Sequence, residues 1–74
     1  MINNKNKSYL IALGKHLRKL REEEKLSQED LANDCDIPIN QIGRIERGEI
    51  NTTVSTLYLI AKALHLKPKD LLDF

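Results

Sequence analysis

Leucines recur along the first part of the chain at helical spacing. Leu10, Leu13, Leu17 and Leu20 fall three and four residues apart, which marks one face of an amphipathic helix. Ser8 is a suitable N-cap, and the pattern runs to about Glu24. Gly14 interrupts this helix at a cost of about 1 kcal/mol relative to alanine, which a close approach by another helix would explain. Ser27 opens a second segment, and Asp30 three residues on completes a capping box with Asp in place of Glu. This second helix buries Leu31 and Ala32 and ends near Asp34 or Cys35. Pro38 disfavours helical geometry at Ile37 and is pre-set for the first turn of a third helix over 39–47, with Gly48 as its left-handed C-cap. After the loop 49–53, Thr53 caps a fourth helix over 54–64, whose inner face is Leu57, Ile60, Ala61 and Leu64. Pro68 starts a short last helix that closes at Phe74. The expected fold class is all-α: a compact five-helix bundle without strands. Residues 1–7 are expected to be a flexible N-terminus and 8–74 a single domain.

Bulk properties narrow the function. A chain of 74 residues is one domain with a small core, and a partner copy would help its stability. No apolar run approaches the roughly 18 residues of a membrane span. The N-terminal stretch turns charged too early for a secretory signal, so a cytoplasmic location is expected. The single cysteine, Cys35, rules out an internal disulfide, and His16 and His65 have no metal-ligand spacing, so no metal and no cofactor are expected. No set of Ser, His and Asp, no metal cluster and no glycine-rich phosphate loop is present, so an enzyme is not expected. Glu22, Glu23 and Glu24 are consecutive and diverge around a helix end, as a solvated charge run does. Net charge is only +1, but residues 1–21 hold six Lys/Arg and no acid, whereas 22–36 hold seven acids and only Lys25. Such a dipolar chain can present a basic face despite a near-neutral total.

The third helix carries the chemistry. On a helical wheel Ile42, Ile45 and Glu46 share one side, and Asn40, Arg44 and Arg47 lie within about 60° of one another on the other. Gln41 and Gly43 lie on the flanks. Amide and guanidinium groups suit the major groove, where Arg pairs with guanine O6/N7 and Asn or Gln with adenine N6/N7. Two short helices joined by a tight turn match the helix-turn-helix.

The stretch LGKHLRKLREEEKLSQEDLANDCDIPINQIGRIERGE, followed by TLYLIAKAL, strongly resembles the XRE family of helix-turn-helix regulators, whose relatives include the lambda repressor and Cro. The resemblance covers about residues 12–73. It implies that Ile39, Asn40 and Arg44 face base edges, and that Gln28, Gln41, Gly43 and Arg47 meet the DNA backbone, with Gln28 also bracing the third helix. It implies an ion pair between Arg21 and Glu46 that ties the first helix to the third, in keeping with the inward position of Glu46 on the wheel. Several positions depart from the family pattern. Pro38 replaces the usual Ser or Thr cap, and Gly43 stands where Ser is common. Ile39 is apolar where a polar base reader is frequent, so contact with a thymine methyl and simple packing both stay open.

Leu59 stands where a polar residue is usual, and Leu66, Leu71, Leu72 and Phe74 are close in sequence. One small domain cannot hide them all, and an exposed apolar patch marks a partner surface. A twofold homodimer through Leu59, Leu66, Leu72 and Phe74 is expected, and packing of Leu59 on Tyr9 and Ile11 is the alternative. Such a dimer places two recognition helices about 34 Å apart, one turn of DNA, on a palindromic operator. The expected function is a stand-alone, bacterial or phage DNA-binding transcription regulator, most simply a repressor or autoregulator associated with the nucleoid. An antitoxin-type module of the same fold, whose main target is a partner protein, is the competing expectation.

Overall fold

The computed structural model describes residues 5–74. Four α-helices follow one another: α1 (Lys7–Glu23), α2 (Gln28–Cys35), α3 (Ile39–Glu46) and α4 (Val54–Ala63). The chain closes with a 3₁₀ helix over Pro68–Leu72, and the described residues contain no strand. The fifth helix of the expected bundle is therefore a 3₁₀ turn. Five residues make little more than one turn, and Asp70 shares its carbonyl between Asp73 and His16 of α1. Its carboxylate accepts the Lys67 N–H at 2.9 Å, and its carbonyl lies 2.8 Å from His16 Nε2 on α1.

Of the expected flexible segment 1–7, residues 5–7 are described. Lys7 begins α1, and Asn6 rather than Ser8 caps it, accepting the Tyr9 N–H at 3.0 Å. The Ser8 hydroxyl instead donates to Asn6 Oδ1 at 3.0 Å. Residues 1–4 of that expected segment lie outside the described residues. The other caps follow the sequence pattern. Ser27 Oγ accepts the Asp30 N–H at 2.9 Å while Asp30 Oδ2 accepts the Ser27 N–H at 3.0 Å. Thr53 Oγ1 accepts the Thr56 N–H at 3.1 Å, and Pro38 leaves α3 with no side-chain cap.

All four α-helices end alike. Lys25, Asp36, Gly48 and His65 take positive φ, and each N–H bonds back to the carbonyl three residues earlier. The next N–H, from Leu26, Ile37, Glu49 or Leu66, reaches the carbonyl five residues earlier, which completes a Schellman motif. Leu26, Ile37 and Leu66 then pack their side chains on the core. At the fourth such position stands Glu49, which is exposed.

Leu13, Leu17, Leu31, Ala32, Cys35, Ile42, Ile45, Ile60, Ala61, Leu64 and Leu71 form the core. Helix α3 lies across α1 at Gly14. A β-carbon there would collide with the carbonyl oxygens of Glu46 and Ile45, so glycine is what allows the two backbones to touch. This contact fixes the C-terminal end of α3 against α1.

Candidate nucleic-acid interface

Helix α3 buries Ile42, Gly43, Ile45 and Glu46 and leaves Ile39, Asn40, Arg44 and Arg47 exposed, with Gln41 half-buried between them. The two faces predicted from the wheel are present. Ile39 keeps 47% of its surface accessible, so it is not a core residue.

The helix is held in place by a buried polar network. Glu46 accepts a two-pronged contact from Arg21, with Nε to Oε2 at 2.7 Å and Nη2 to Oε1 at 3.0 Å. Arg21 Nη1 also donates to the Leu26 carbonyl at 2.7 Å, and Gln28 Nε2 donates to Glu46 Oε1 at 3.0 Å. The Glu46 carboxylate thus joins α1, α2 and α3, and Arg21 extends the network to the α1–α2 turn. The Arg21 and Glu46 side chains are only 9% and 4% accessible. The Glu46 hydrogen bonds raise the Arg21 pKa above its ordinary value against the opposing effect of burial, so the guanidinium stays charged. Gln28 sits in the first turn of α2 with one amide hydrogen spent on Glu46. Its Oε1 faces Gly43, at 3.4 Å from where a β-carbon would project. Gln28 therefore braces α3 from the start of α2.

The outer face of α3 has a feature the sequence did not suggest. Glu49 folds back over the last turn, with Arg47 Nε donating to its Oε2 at 2.6 Å and Arg44 Nε lying 3.7 Å from its Oε1. Lys5 Nζ donates to the Glu49 carbonyl at 3.0 Å. The hydrogen bond from Arg47, reinforced by the charges of Arg47, Arg44 and Lys5, holds the Glu49 carboxyl below the usual carboxylate range. Nothing in a lone glutamate after a helix C-cap signals this pairing. It becomes visible only when the Schellman turn brings residue 49 back over residue 44.

A family model described as Helix-turn-helix matches residues 17–71. The chain belongs to the helix-turn-helix family. The match spans α2 and α3, the two helices that the Arg21–Glu46–Gln28 network locks together. The chain is similar to Control protein C.BamHI of Bacillus amyloliquefaciens, with 42% identity over 65 residues that cover 86% of this chain and 80% of the relative. Its fold is similar to the restriction-modification controller protein C.AhdI of Aeromonas hydrophila, with a TM-score of 0.85 and 34% identity over 86% of this chain and 97% of that one. It is also similar to the controller C.Esp1396I as seen in a nucleoprotein complex, with a TM-score of 0.74 and 30% identity over 89% of this chain and 96% of that one.

The apolar residues expected at an interface separate into two groups in this helix-turn-helix chain. Leu59, Leu72 and Phe74 are 40%, 45% and 49% exposed. Leu71 is fully buried and Leu66 packs on the core as the apolar anchor of the α4 cap, so Leu66 offers only part of its side chain outward. Leu59 stays partly exposed. It borders a shallow hollow with Cys35 and Lys62, and its carbonyl accepts from Cys35 Sγ at 3.6 Å. Burial, with the Asp34 charge adding to it, pushes the Cys35 thiol pKa up, so this cysteine is a small core residue. Phe74 is partly occupied by the N-terminal helix, its ring packed at a tilt of 45° and 43° against Tyr9 and His16, with centroids 5.1 and 5.5 Å away. Val54 and Tyr58, one turn apart on α4, add exposed apolar surface that the sequence reading did not single out. No helix among the described residues is long and apolar enough to cross a membrane.

Proposed function

We propose that this chain is a controller-type transcription regulator: a homodimer that binds a palindromic double-stranded operator and places α3 of each protomer in the major groove. The observation that carries this is the two-faced α3. Its inner side is fixed by the buried Arg21–Glu46–Gln28 network, and its outer side presents Asn40, Arg44 and Arg47 to solvent. A base-reading helix must be rigidly aimed, and a carboxylate bonded from two other helices aims it.

Asn40 and Arg44 read base edges, with Ile39 against a thymine methyl. Arg47 and Gln41 meet the sugar-phosphate backbone, while Gly43, expected beside them, is buried under the Arg47 and Gln28 side chains. Gln28 has a second amide hydrogen and a first-turn backbone N–H for a phosphate at the α2 N-terminus. The Arg21–Glu46 pair is structural and touches no DNA. Leu59, Leu72 and Phe74, joined by Tyr58, form the dimer surface, with Leu66 supporting it from within. Residues 8–74 act as one unit, and the setting is the cytoplasm, on the nucleoid. This scheme assigns no residue to catalysis. The similarity to control proteins favours it over an antitoxin-type module whose main target is a protein.

The test is fluorescence anisotropy on DNA from upstream of the chain's own reading frame, beside scrambled DNA, at two salt concentrations. A preference of about a thousandfold or more supports a specific regulator. Weak, equal binding to both that vanishes as salt rises would refute it.

A further inference from the structure

Three of the four Schellman turns place an apolar residue where the motif favours one, and those side chains pack on the core. Only the turn after α3 places a carboxylate there, on the face that carries the two exposed arginines. The backbone holds it there, because the Glu49 N–H bonds to the Arg44 carbonyl at 2.9 Å. Its carboxylate spans both cations, at 2.6 Å from Arg47 and 3.7 Å from Arg44. All three side chains are about half exposed, so the pairs contribute little to folding. Their position on the outer face of α3 gives them a different consequence.

We propose that Glu49 is a specificity residue, an internal carboxylate that competes with DNA phosphates for Arg44 and Arg47, so that the two guanidiniums meet non-specific DNA with one net charge between them. The proposal rests on the DNA-binding function above. Non-specific binding is almost wholly phosphate neutralisation, and each phosphate neutralised steepens the dependence of log K on log salt by about 0.9. A carboxylate beside these two arginines subtracts from that count. At the operator the subtraction matters less. Arg44 leaves Glu49 for a guanine edge, and Glu49 keeps its shorter bond to Arg47. Glu49 thus weakens random binding more than it weakens recognition.

The experiment compares wild type, Glu49→Gln and Glu49→Asp by anisotropy on two 30-bp duplexes. One duplex is random in sequence, and the other is enriched from a random library by the wild-type protein. Salt is varied from 50 to 300 mM at a temperature well below every variant's melting transition. Glu49→Gln should bind the random duplex about fivefold tighter at 0.15 M salt, with a slope steeper by about 0.9. Its affinity for the enriched duplex should rise less, so the preference falls. Glu49→Asp keeps the charge and should keep a slope close to wild type. An unchanged affinity and slope for Glu49→Gln on random DNA overturns the proposal. An equal rise on both duplexes overturns the claim about specificity. If wild type enriches no sequence, the proposed function itself has failed, and that is visible before any variant is tested.

Discussion

Removing the Glu46 carboxylate should unsettle the fold far more than a single surface ion pair could. In Glu46→Ala the Arg21 guanidinium, with its side chain 9% accessible, would keep only the Leu26 carbonyl as a protein partner. Breaking one side of a buried pair costs about 3–5 kcal/mol, chiefly because the remaining charge stays desolvated. A domain of 74 residues is stable by about 4–11 kcal/mol at typical stability per residue. The variant would therefore lose about a quarter or more of its stability, and at about 4–8 °C per kcal/mol its Tm would drop by at least about 12 °C. The assay is urea unfolding followed by circular dichroism, with a double-mutant cycle of Arg21→Met, Glu46→Leu and the double variant Arg21→Met/Glu46→Leu run beside Glu46→Ala. Apolar replacement of both partners is often neutral or stabilising, so the double variant should be more stable than Glu46→Ala. It should nevertheless bind the operator worse than wild type, because Gln28 loses its acceptor and α3 its tie to α2. A loss below about 1 kcal/mol in Glu46→Ala, or a double variant no more stable than the single, would refute the reasoning.

Four further outcomes follow from the geometry. Arg44→Ala should cost about 1–3 kcal/mol in operator binding and relax specificity at one base pair, whereas Gln28→Ala should weaken all sequences alike; competition with single-base-pair variants of the operator separates the two. Gly14→Ala should destabilise the domain despite alanine's better helix propensity, by about 1–3 kcal/mol, because the added carbon meets the Glu46 and Ile45 carbonyls; thermal melting checks the sign. Lys25→Gly should stabilise by up to about 1 kcal/mol, since Lys25 holds a φ of 60° that costs a side-chain-bearing residue energy; a lower urea midpoint would contradict it. Leu59→Asp should shift sedimentation at tens of micromolar towards the monomer while leaving the helical signal intact.

The helices and their inner faces were legible because apolar periodicity and capping residues are local signals. Ser27 with Asp30, Thr53 and Gly48 mark their boundaries as the sequence suggests. The start of α1 was misplaced by one cap because Asn6 and Ser8 are both good capping residues, and only the extended backbone at Asn6 decides between them. The last element reads as an α-helix or a 3₁₀ helix because Pro68 and the leucines fit either form, while the contact of His16 with the Asp70 carbonyl comes from α1. Left-handed caps at Lys25 and His65 leave no glycine to read, although the apolar Leu26 and Leu66 that follow are a usable trace. On α3 the pattern separated inner from outer side chains correctly. It could not show that Glu49 neutralises part of the outer face, since that depends on how the chain turns after Gly48.

The most direct test of the account is methylation interference at guanine N7, an atom that lies in the major groove. The selected operator is lightly methylated, bound by wild type and by Arg44→Ala, and the bound and free fractions are cleaved. Interference is expected at symmetry-related guanines in two half-sites about 10 base pairs apart, and should be lost at those guanines in Arg44→Ala. Binding that tolerates methylation of every guanine in the operator, or the same interference pattern in Arg44→Ala, would contradict the claim that α3 reads the major groove through Arg44.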